Sequence, residues 1–162
     1  METRWVAVDF GGPEVLRRVP VVVLPPKSGE VTIQMRAAGM NPADYKHFGP
    51  GQDPGLLPLT VGYEAAGVIS DVGPDTEIAS GGGGVGDEVV AFQILGGYAS
   101  AITVDADDVV AKPANLSFAE ASNLLRGEVD GIGGVDDVGR WRFRRTGHPV
   151  RVGATERIGQ AP

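Results

Sequence analysis

The segment from Arg36 to Gly67 carries the residues whose types and spacing best suit chemistry. Asn41 precedes a proline, which predicts a helix start, because a side-chain acceptor and a ring-locked first residue together define a helix N-terminus. Asp44 follows three residues later, where its charge favours the positive end of that helix. The hydroxyls of Tyr45 and Tyr63 could donate a hydrogen bond to an oxygen that gains negative charge. Alternatively, the first two residues only cap the turn and both tyrosine rings pack in the core.

Short strands are predicted on both sides of this segment. From Glu30 the sequence alternates, with Val31, Ile33, Met35 and Ala37 on one side, which is the period of a half-buried strand. Similar patterns, interrupted by glycine and proline, predict strands at Arg4–Phe10, Val15–Leu24, Val61–Val72, Asp87–Phe92, Ala99–Val104 and Val109–Lys112. Pro20 makes the second of these an edge or kinked strand.

Two local signals refine the predicted fold. Ser117 and Glu120 have the spacing of a capping box and predict a helix over Phe118–Leu125. Gly81–Gly86 is superficially similar to a dinucleotide-binding loop, but it leads into a strand rather than a helix, so we expect a surface loop without phosphate binding. Short strands, two short helices and no alternation of strand and helix indicate a mainly β (α+β) fold, a partly open β-barrel.

Composition sets the outer limits of function. The chain of 162 residues is 42% hydrophobic and can bury one sizeable core. It contains no cysteine, which removes disulfides, thiolate metal sites and a cysteine nucleophile. The net charge of -7 argues against binding to nucleic acid or anionic lipid. We found no apolar run long enough for a membrane span and no secretory signal pattern, so the sequence predicts a cytoplasmic protein.

Four blocks of sequence together carry a family resemblance. GMNPADYK, PLTVGYEAAGVISDVG, GDEVVAF and GGYASAITVDADDVVAKPANLSFAEASNLL follow one another in this order and cover most of residues 1–125. This combination resembles the N-terminal half of a medium-chain dehydrogenase/reductase of the zinc-independent quinone oxidoreductase type. The resemblance implies a GroES-like substrate-side domain over residues 1–125, with a cofactor domain beyond it in the intact family.

The resemblance also implies roles for individual residues. Asn41, Asp44 and Tyr45 would lie beside the nicotinamide and substrate cleft, with Tyr63 and Glu64 nearby. Of these residues, Asn41 and Tyr45 would contact the cofactor. The implied reaction is hydride transfer from NADPH to an electron-poor small molecule such as a quinone or an enone, with the protein supplying orientation and a polar environment.

The donor set argues against a catalytic zinc ion. Zinc-dependent members of the resembled family use a cysteine near the capped turn and the histidine of a Gly-His-Glu sequence, whereas this chain has Gly62-Tyr63-Glu64 and no cysteine. A phenol is a poor substitute for the neutral imidazole that zinc prefers. His47 and His148 lack metal-ligand spacing, and we expect each to be a solvated loop position.

The chain changes character at Arg126. Residues 126–162 have a net charge of +2, whereas residues 1–125 have a net charge of -9. Gly153–Ala161 faintly resembles the family's glycine-rich turn, but Glu156 would oppose a pyrophosphate. The tail is either an aberrant extension, such as a shifted reading frame would generate, or a degenerate start of the cofactor domain. We expect it to be poorly ordered, because it offers little apolar surface. The basic and aromatic run Arg140–Arg145 could contact nucleic acid, but an acidic protein disfavours this.

Two functional hypotheses follow. The first is a truncated NADPH-dependent quinone or enone oxidoreductase, without a complete Rossmann domain, that binds no cofactor by itself and is inactive alone. The second is a non-enzymatic β-barrel module that pairs with itself as a homo-oligomer or with a partner, because loss of a neighbouring domain would uncover apolar surface.

Overall fold

The computed structural model describes residues 1–124 and two short strands beyond them. Residues 1–124 are mainly β, as predicted, with strands β1 (Glu2–Ala7), β2 (Leu16–Val21), β3 (Glu30–Ala38), β4 (Leu59–Thr60), β5 (Glu64–Val72), β6 (Glu88–Phe92), β7 (Ala101–Asp105) and β8 (Val109–Ala111). The helices are α1 (Pro42–Phe48) and α2 (Phe118–Ala121), with single 3-10 turns at Pro13–Val15, Pro54–Leu56 and Ala106–Asp108. None of the helices in the described residues is long and apolar enough to cross a membrane.

The larger sheet is antiparallel, with strand order β7-β3-β5-β6-β8. The sheet is open, because its two end strands, β7 and β8, do not pair with each other. This agrees with the predicted partly open barrel of the GroES-like type. The β-branched residues of these strands form the main core because successive side chains alternate between the two faces. The core consists of Val31, Ile33, Ala65, Ile69, Ile78, Val89, Ala91, Ile94, Ala106 and Val109.

A β-bulge changes the face that β3 presents. The register between β3 and β5 shifts between Met35 and Ala37, so one extra residue lies on β3. After this shift Ala38, rather than the predicted Ala37, packs against the main core. The alternation predicted from Val31 onward is therefore confirmed only as far as Met35.

The smaller sheet has the order β2-β1-β4 and is also antiparallel. As Pro20 predicts, β2 is an edge strand, where a missing backbone N–H costs nothing in the ladder. A second core cluster of Ala7, Val15, Phe48 and Val61 joins β1 to helix α1.

The predicted strand Val61–Val72 is divided between the two sheets. β4 belongs to the smaller sheet and β5 to the larger one, and Gly62 lies between them with a φ of 98°. A Cβ atom on Gly62 would lie 2.6 Å from the backbone nitrogen of Tyr98, so only glycine fits this close approach. The crossing places Tyr63 directly before β5 and Glu64 at its first paired position, opposite Phe92.

Helix α2 begins as predicted and ends earlier. Ser117 Oγ accepts from the Glu120 N–H at 3.3 Å, and Glu120 Oε2 accepts from the Ser117 N–H at 2.9 Å, which confirms the capping box. The helix ends at Ala121 and a turn follows to Leu124, so the predicted extent to Leu125 is wrong within the described residues. Gly81–Gly86 leads into β6, as predicted.

The chain divides at Gly127 into two units. In the second unit the structure describes only β9 (Gly133–Val135) and β10 (Trp141–Phe143), which pair antiparallel. The sequence did not predict strands here. The Gly153–Ala161 turn with Glu156, His148, the flanks of the Arg140–Arg145 run and the predicted poor order of the tail lie outside the described residues.

Candidate active site

Asn41 and Asp44 fix the start of helix α1. Asn41 has extended backbone angles, and its N–H donates to Asp44 Oδ2 at 2.7 Å. The Asp44 N–H donates to the Asn41 carbonyl oxygen at 3.0 Å. Both residues therefore act at the helix N-terminus, as the spacing predicts. The alternative that Asn41 and Asp44 only cap the helix is nevertheless incomplete, because the Asn41 side chain also contacts a strand and the Asp44 side chain also contacts a turn.

The Asp44 carboxylate is the centre of a polar cluster. The residue is only 4% exposed, and its Oδ2 also accepts a hydrogen bond from the Tyr98 hydroxyl at 3.0 Å. Its Oδ1 is buried and has no hydrogen-bond partner among the described residues. A buried carboxylate oxygen without a donor is costly, so the described residues leave one polar group of this cluster unsatisfied.

Asn41 connects the helix to the first residue of β5. Its side-chain Nδ2 donates to Glu64 Oε1 at 2.6 Å, and Glu64 is only 2% exposed. Gly39 makes room for this contact, because a Cβ atom there would collide with the Glu64 carboxylate. The half-buried Asn41 and the buried Glu64 thus form a polar pair next to Asp44.

Tyr63 contacts a residue that the sequence did not place in the site. The Tyr63 hydroxyl is hydrogen-bonded to His47 Nδ1, and the two ring centroids are 5.6 Å apart with a tilt of 44° between the planes. His47 is half-buried on helix α1, so its predicted solvated loop position is wrong. The reason is helical spacing: a residue three positions after Asp44 shares the same face of the helix.

Burial and the charge of Asp44 keep the two site phenols protonated. Burial, then Asp44, raises the pKa of Tyr63 to about 12. Burial raises the pKa of Tyr98 well above its ordinary value, and Asp44 and Glu64 add to this effect. Burial lowers the pKa of His47, and Asp44 opposes that shift. Near neutral pH the cluster therefore holds two neutral phenols beside an imidazole whose protonation burial disfavours.

Tyr45 lies apart from this cluster. Its side chain is 54% exposed, and its ring meets Phe48 edge-on at a centroid distance of 6.0 Å. Its predicted contacts with cofactor and substrate are not tested by the geometry and stay predictions. Tyr63 is half-buried and its hydroxyl is bonded to another side chain, so it is not a core ring with its hydroxyl at the surface, and its predicted donation to a substrate oxygen stays a prediction.

Tyr98 is the site residue that sequence reasoning missed. It was predicted only as part of a turn, together with Gly96 and Gly97. In the structure its hydroxyl donates to Asp44, a residue 54 positions away in sequence. The available signal was an aromatic residue directly after two glycines, a combination that permits close approach of the backbone to another segment.

The donor set does not suit a metal ion. The described part of the chain contains no group of three or more His, Cys, Asp or Glu side chains that could hold one. Tyr63, which stands in place of the histidine of the resembled Gly-His-Glu sequence, is hydrogen-bonded to His47 through its hydroxyl, the atom that would have to face a metal.

Two open antiparallel sheets and a capped helix that carries a buried carboxylate make up this domain, and the fold is GroES-like. The family model of the alcohol dehydrogenase GroES-like domain matches residues 27–114. The chain belongs to this family, within the medium-chain dehydrogenase/reductase superfamily and of its quinone oxidoreductase type.

Relatives of known name agree with this assignment. The quinone oxidoreductase of Salmonella typhimurium is 37% identical over 129 residues, which are 78% of this chain and 38% of that protein. The chloroplastic NADPH-dependent alkenal/one oxidoreductase of Arabidopsis thaliana is 33% identical over 134 residues, 74% of this chain and 33% of that protein. The Escherichia coli quinone oxidoreductase complexed with NADPH superposes with a TM-score of 0.66 at 33% identity, covering 77% of this chain and 40% of that one. The chain spans about two fifths of the length of such relatives.

Proposed function

We propose that residues 1–124 form the substrate-side domain of an NADPH-dependent reductase of quinones or enones. The observation that carries this proposal is the pair of phenols, Tyr63 and Tyr98, of which the first is hydrogen-bonded to His47 and the second to the buried carboxylate of Asp44. Neutral phenols are suitable donors to an oxygen that gains charge during reduction. The names of the relatives support the class of acceptor and the nucleotide. The predicted cytoplasmic location belongs to the same proposal.

The two phenols have different roles in this proposal. The chemistry that NADPH would supply when bound is a hydride for the acceptor. The Tyr98 proton is committed to Asp44, so Tyr98 holds the carboxylate in place. Tyr63 is the residue that donates to the acceptor's oxygen. Asn41 and Tyr45 contribute the contacts to the nicotinamide cofactor that the family resemblance implies, the latter through a ring that is 54% exposed.

The reaction proceeds without zinc in this proposal. The support is chemical: the phenol of Tyr63 stands where an imidazole would be needed and is already hydrogen-bonded to His47, and the chain contains no cysteine that could supply a thiolate. A proton from a phenol replaces the polarising effect of a metal on the oxygen. Addition of zinc is therefore expected to leave quinone binding unchanged, as measured by calorimetry.

We also propose that the 162-residue chain binds no NADPH by itself and is inactive alone. The described residues contain no parallel strand-helix-strand unit of the kind that holds a dinucleotide, since every strand pair in them is antiparallel. Calorimetric titration with NADPH is expected to give no saturable heat. Binding with a Kd below about 10 μM would contradict this part of the proposal.

A chimera tests the substrate-side role directly. Residues 1–124 would replace the matching N-terminal domain of the Escherichia coli relative, which supplies the nucleotide-binding part. We expect NADPH-dependent quinone reduction by the chimera, and a kcat lower by about 100-fold after Tyr63→Phe because a proton donor is lost. A folded chimera that binds NADPH and reduces neither a quinone nor an enone would refute the proposal.

A second function, a non-enzymatic interaction module or homo-oligomer, is favoured by one observation. Met40, Tyr45 and Leu56 are exposed to 74%, 54% and 53% and lie within one short segment around α1. Exposed apolar side chains that lie together favour association with a partner or a second copy. Light scattering tests this: a stable dimer supports the module, whereas a strictly monodisperse monomer counts against it.

A further inference from the structure

The contact between His47 and Tyr63 is not explained by the proposed reaction, which needs only a phenol proton. His47 is half-buried on α1, and its Nδ1 faces the Tyr63 hydroxyl across the gap between the helix and the residue before β5. The tilt of 44° between the rings is too large for stacking, so the polar contact defines this pair. His47 and Tyr63 lie 16 positions apart in sequence, so their contact depends on the tertiary fold.

The direction of this hydrogen bond decides what Tyr63 can do. A phenol has one proton to donate. If Tyr63 donates it to Nδ1, none remains for an acceptor's oxygen. If His47 carries its proton on Nδ1 and donates, the phenol proton is free to point away from the imidazole. Only the second arrangement is compatible with Tyr63 as a donor to substrate.

We propose that His47 is a positioning residue for Tyr63: its Nδ1–H donates to the phenol oxygen, directs the phenol proton toward the acceptor, and replaces that proton after it is transferred. This inference rests on the proposed function, and it adds a residue and a proton path that the proposed function does not contain. The charged group that acts on both members of the pair is Asp44, and Asp44 and Glu64 both act on the neighbouring phenol of Tyr98.

The proton path balances. When the hydride and its electron pair reach the acceptor, the oxygen that becomes negative takes the proton from the Tyr63 hydroxyl. The imidazole Nε2 takes one proton from solvent while the phenolate oxygen takes the Nδ1 proton, so the phenol is restored and His47 is left neutral with its proton on Nε2. His47 returns to its Nδ1–H form when Nδ1 takes a second solvent proton and Nε2 releases one to solvent, and the net change is one solvent proton delivered to the reduced product. Asp44, at the start of the same helix, disfavours any lasting phenolate.

The tautomer of His47 can be measured in the 162-residue chain without cofactor. Long-range proton-nitrogen correlation of the 15N-labelled chain at about pH 8, where His47 is neutral, identifies the protonated ring nitrogen. We expect His47 to carry its proton on Nδ1, and Tyr63→Phe to return it to the Nε2–H form that free imidazole prefers. The chain has two histidines, and a His148→Gln variant identifies which of the two signals belongs to His47. An unprotonated Nδ1 in the unaltered chain would overturn the inference, whatever the stability of the variant.

A second measurement separates positioning from simple packing. Tetramethyl-1,4-benzoquinone is titrated while the ring carbon signal of Tyr63 is followed. His47→Ala is expected to weaken quinone binding by about fivefold to tenfold, whereas His47→Asn, whose amide can replace the Nδ1–H donor, is expected to restore most of it. Equal binding by the unaltered chain and His47→Ala would overturn the inference. A protonated Nδ1 with no quinone-dependent shift of Tyr63 would support the positioning contact and refute the proposed substrate class instead.

Discussion

Replacement of Asp44 separates the effect of its charge from the effect of its hydrogen bonds. Asp44→Asn keeps an oxygen that can accept from the Asn41 N–H and the Tyr98 hydroxyl, which now lie 2.7 and 3.0 Å from Oδ2. Asp44→Ala removes the acceptor as well. Because the residue is only 4% exposed, solvent cannot replace either contact easily.

The structure sets the expected magnitudes. Charge-assisted hydrogen bonds are about twice as strong as neutral ones, so Asp44→Asn should lower the free energy of unfolding by about 1 to 2 kcal/mol. Asp44→Ala loses both bonds and the cap of α1, and should cost about 3 to 4 kcal/mol. The assay is urea unfolding followed by circular dichroism. Asp53→Asn is the matched control, since Asp53 caps an exposed 3-10 turn by accepting from the Gly55 N–H at 2.9 Å and should cost at most about 1 kcal/mol.

The same variants should change the titration of the phenols. Without the charge at position 44, the pKa of Tyr63 should fall from about 12 but stay above its ordinary value, because burial is the larger cause of the shift. The pKa of Tyr98 should fall in the same direction. Ultraviolet absorbance of phenolate during alkaline titration measures both. Phenol pKa values in Asp44→Asn that equal those of the unaltered chain would refute the electrostatic role assigned to this carboxylate.

Two further predictions concern stability away from the site. Burial, then the charges of Asp105 and Asp107, raises the pKa of Asp108 to about 6. The folded state therefore binds more protons than the unfolded one between about pH 4 and pH 6, so the free energy of unfolding falls as the pH rises across that range. Asp108→Asn should raise the free energy of unfolding by about 1 kcal/mol at pH 8, after solvent screening, and should give no gain at pH 4. Urea unfolding at the two pH values measures this. Lys112, with a side chain 4% exposed, bonds Glu88 at 3.0 Å, so Lys112→Met should cost about 2 to 3 kcal/mol in thermal unfolding, whereas Glu88→Gln at the exposed end should cost about 1 or less.

Local signals predicted most of the secondary structure. Alternation located β3, Pro20 marked an edge strand, and the spacing of Ser117 and Glu120 marked the start of α2, because each of these features depends on residues a few positions apart. The bulge that exchanges Ala37 for Ala38 at the core escaped prediction, since it arises from the register between β3 and β5. Register depends on how two strands pair, so it cannot be predicted from the sequence of either strand alone.

The candidate site was predicted in part for the same reason. Asn41 and Asp44 were identified because capping is local, and the structure shows that both also make contacts between distant segments. His47 was assigned to solvent because the pairing that brings Tyr63 beside α1 was unknown. Tyr98 needed a contact across 54 positions, which no local pattern contains.

Backbone contacts, rather than the phenols themselves, hold the two tyrosines of the site near each other. The Gly62 carbonyl accepts from the N–H groups of Gly96 and Gly97 at 2.9 and 3.1 Å, and the Tyr98 N–H donates to the Val61 carbonyl at 3.2 Å. These bonds join the segment before β5 to the turn before β7. Glycine is required at position 62, where the backbones of these two segments approach each other closely. Because the frame does not depend on the hydroxyl groups, Tyr63→Phe should alter proton donation without moving the surrounding backbone, and a loss of activity in that variant can be assigned to chemistry.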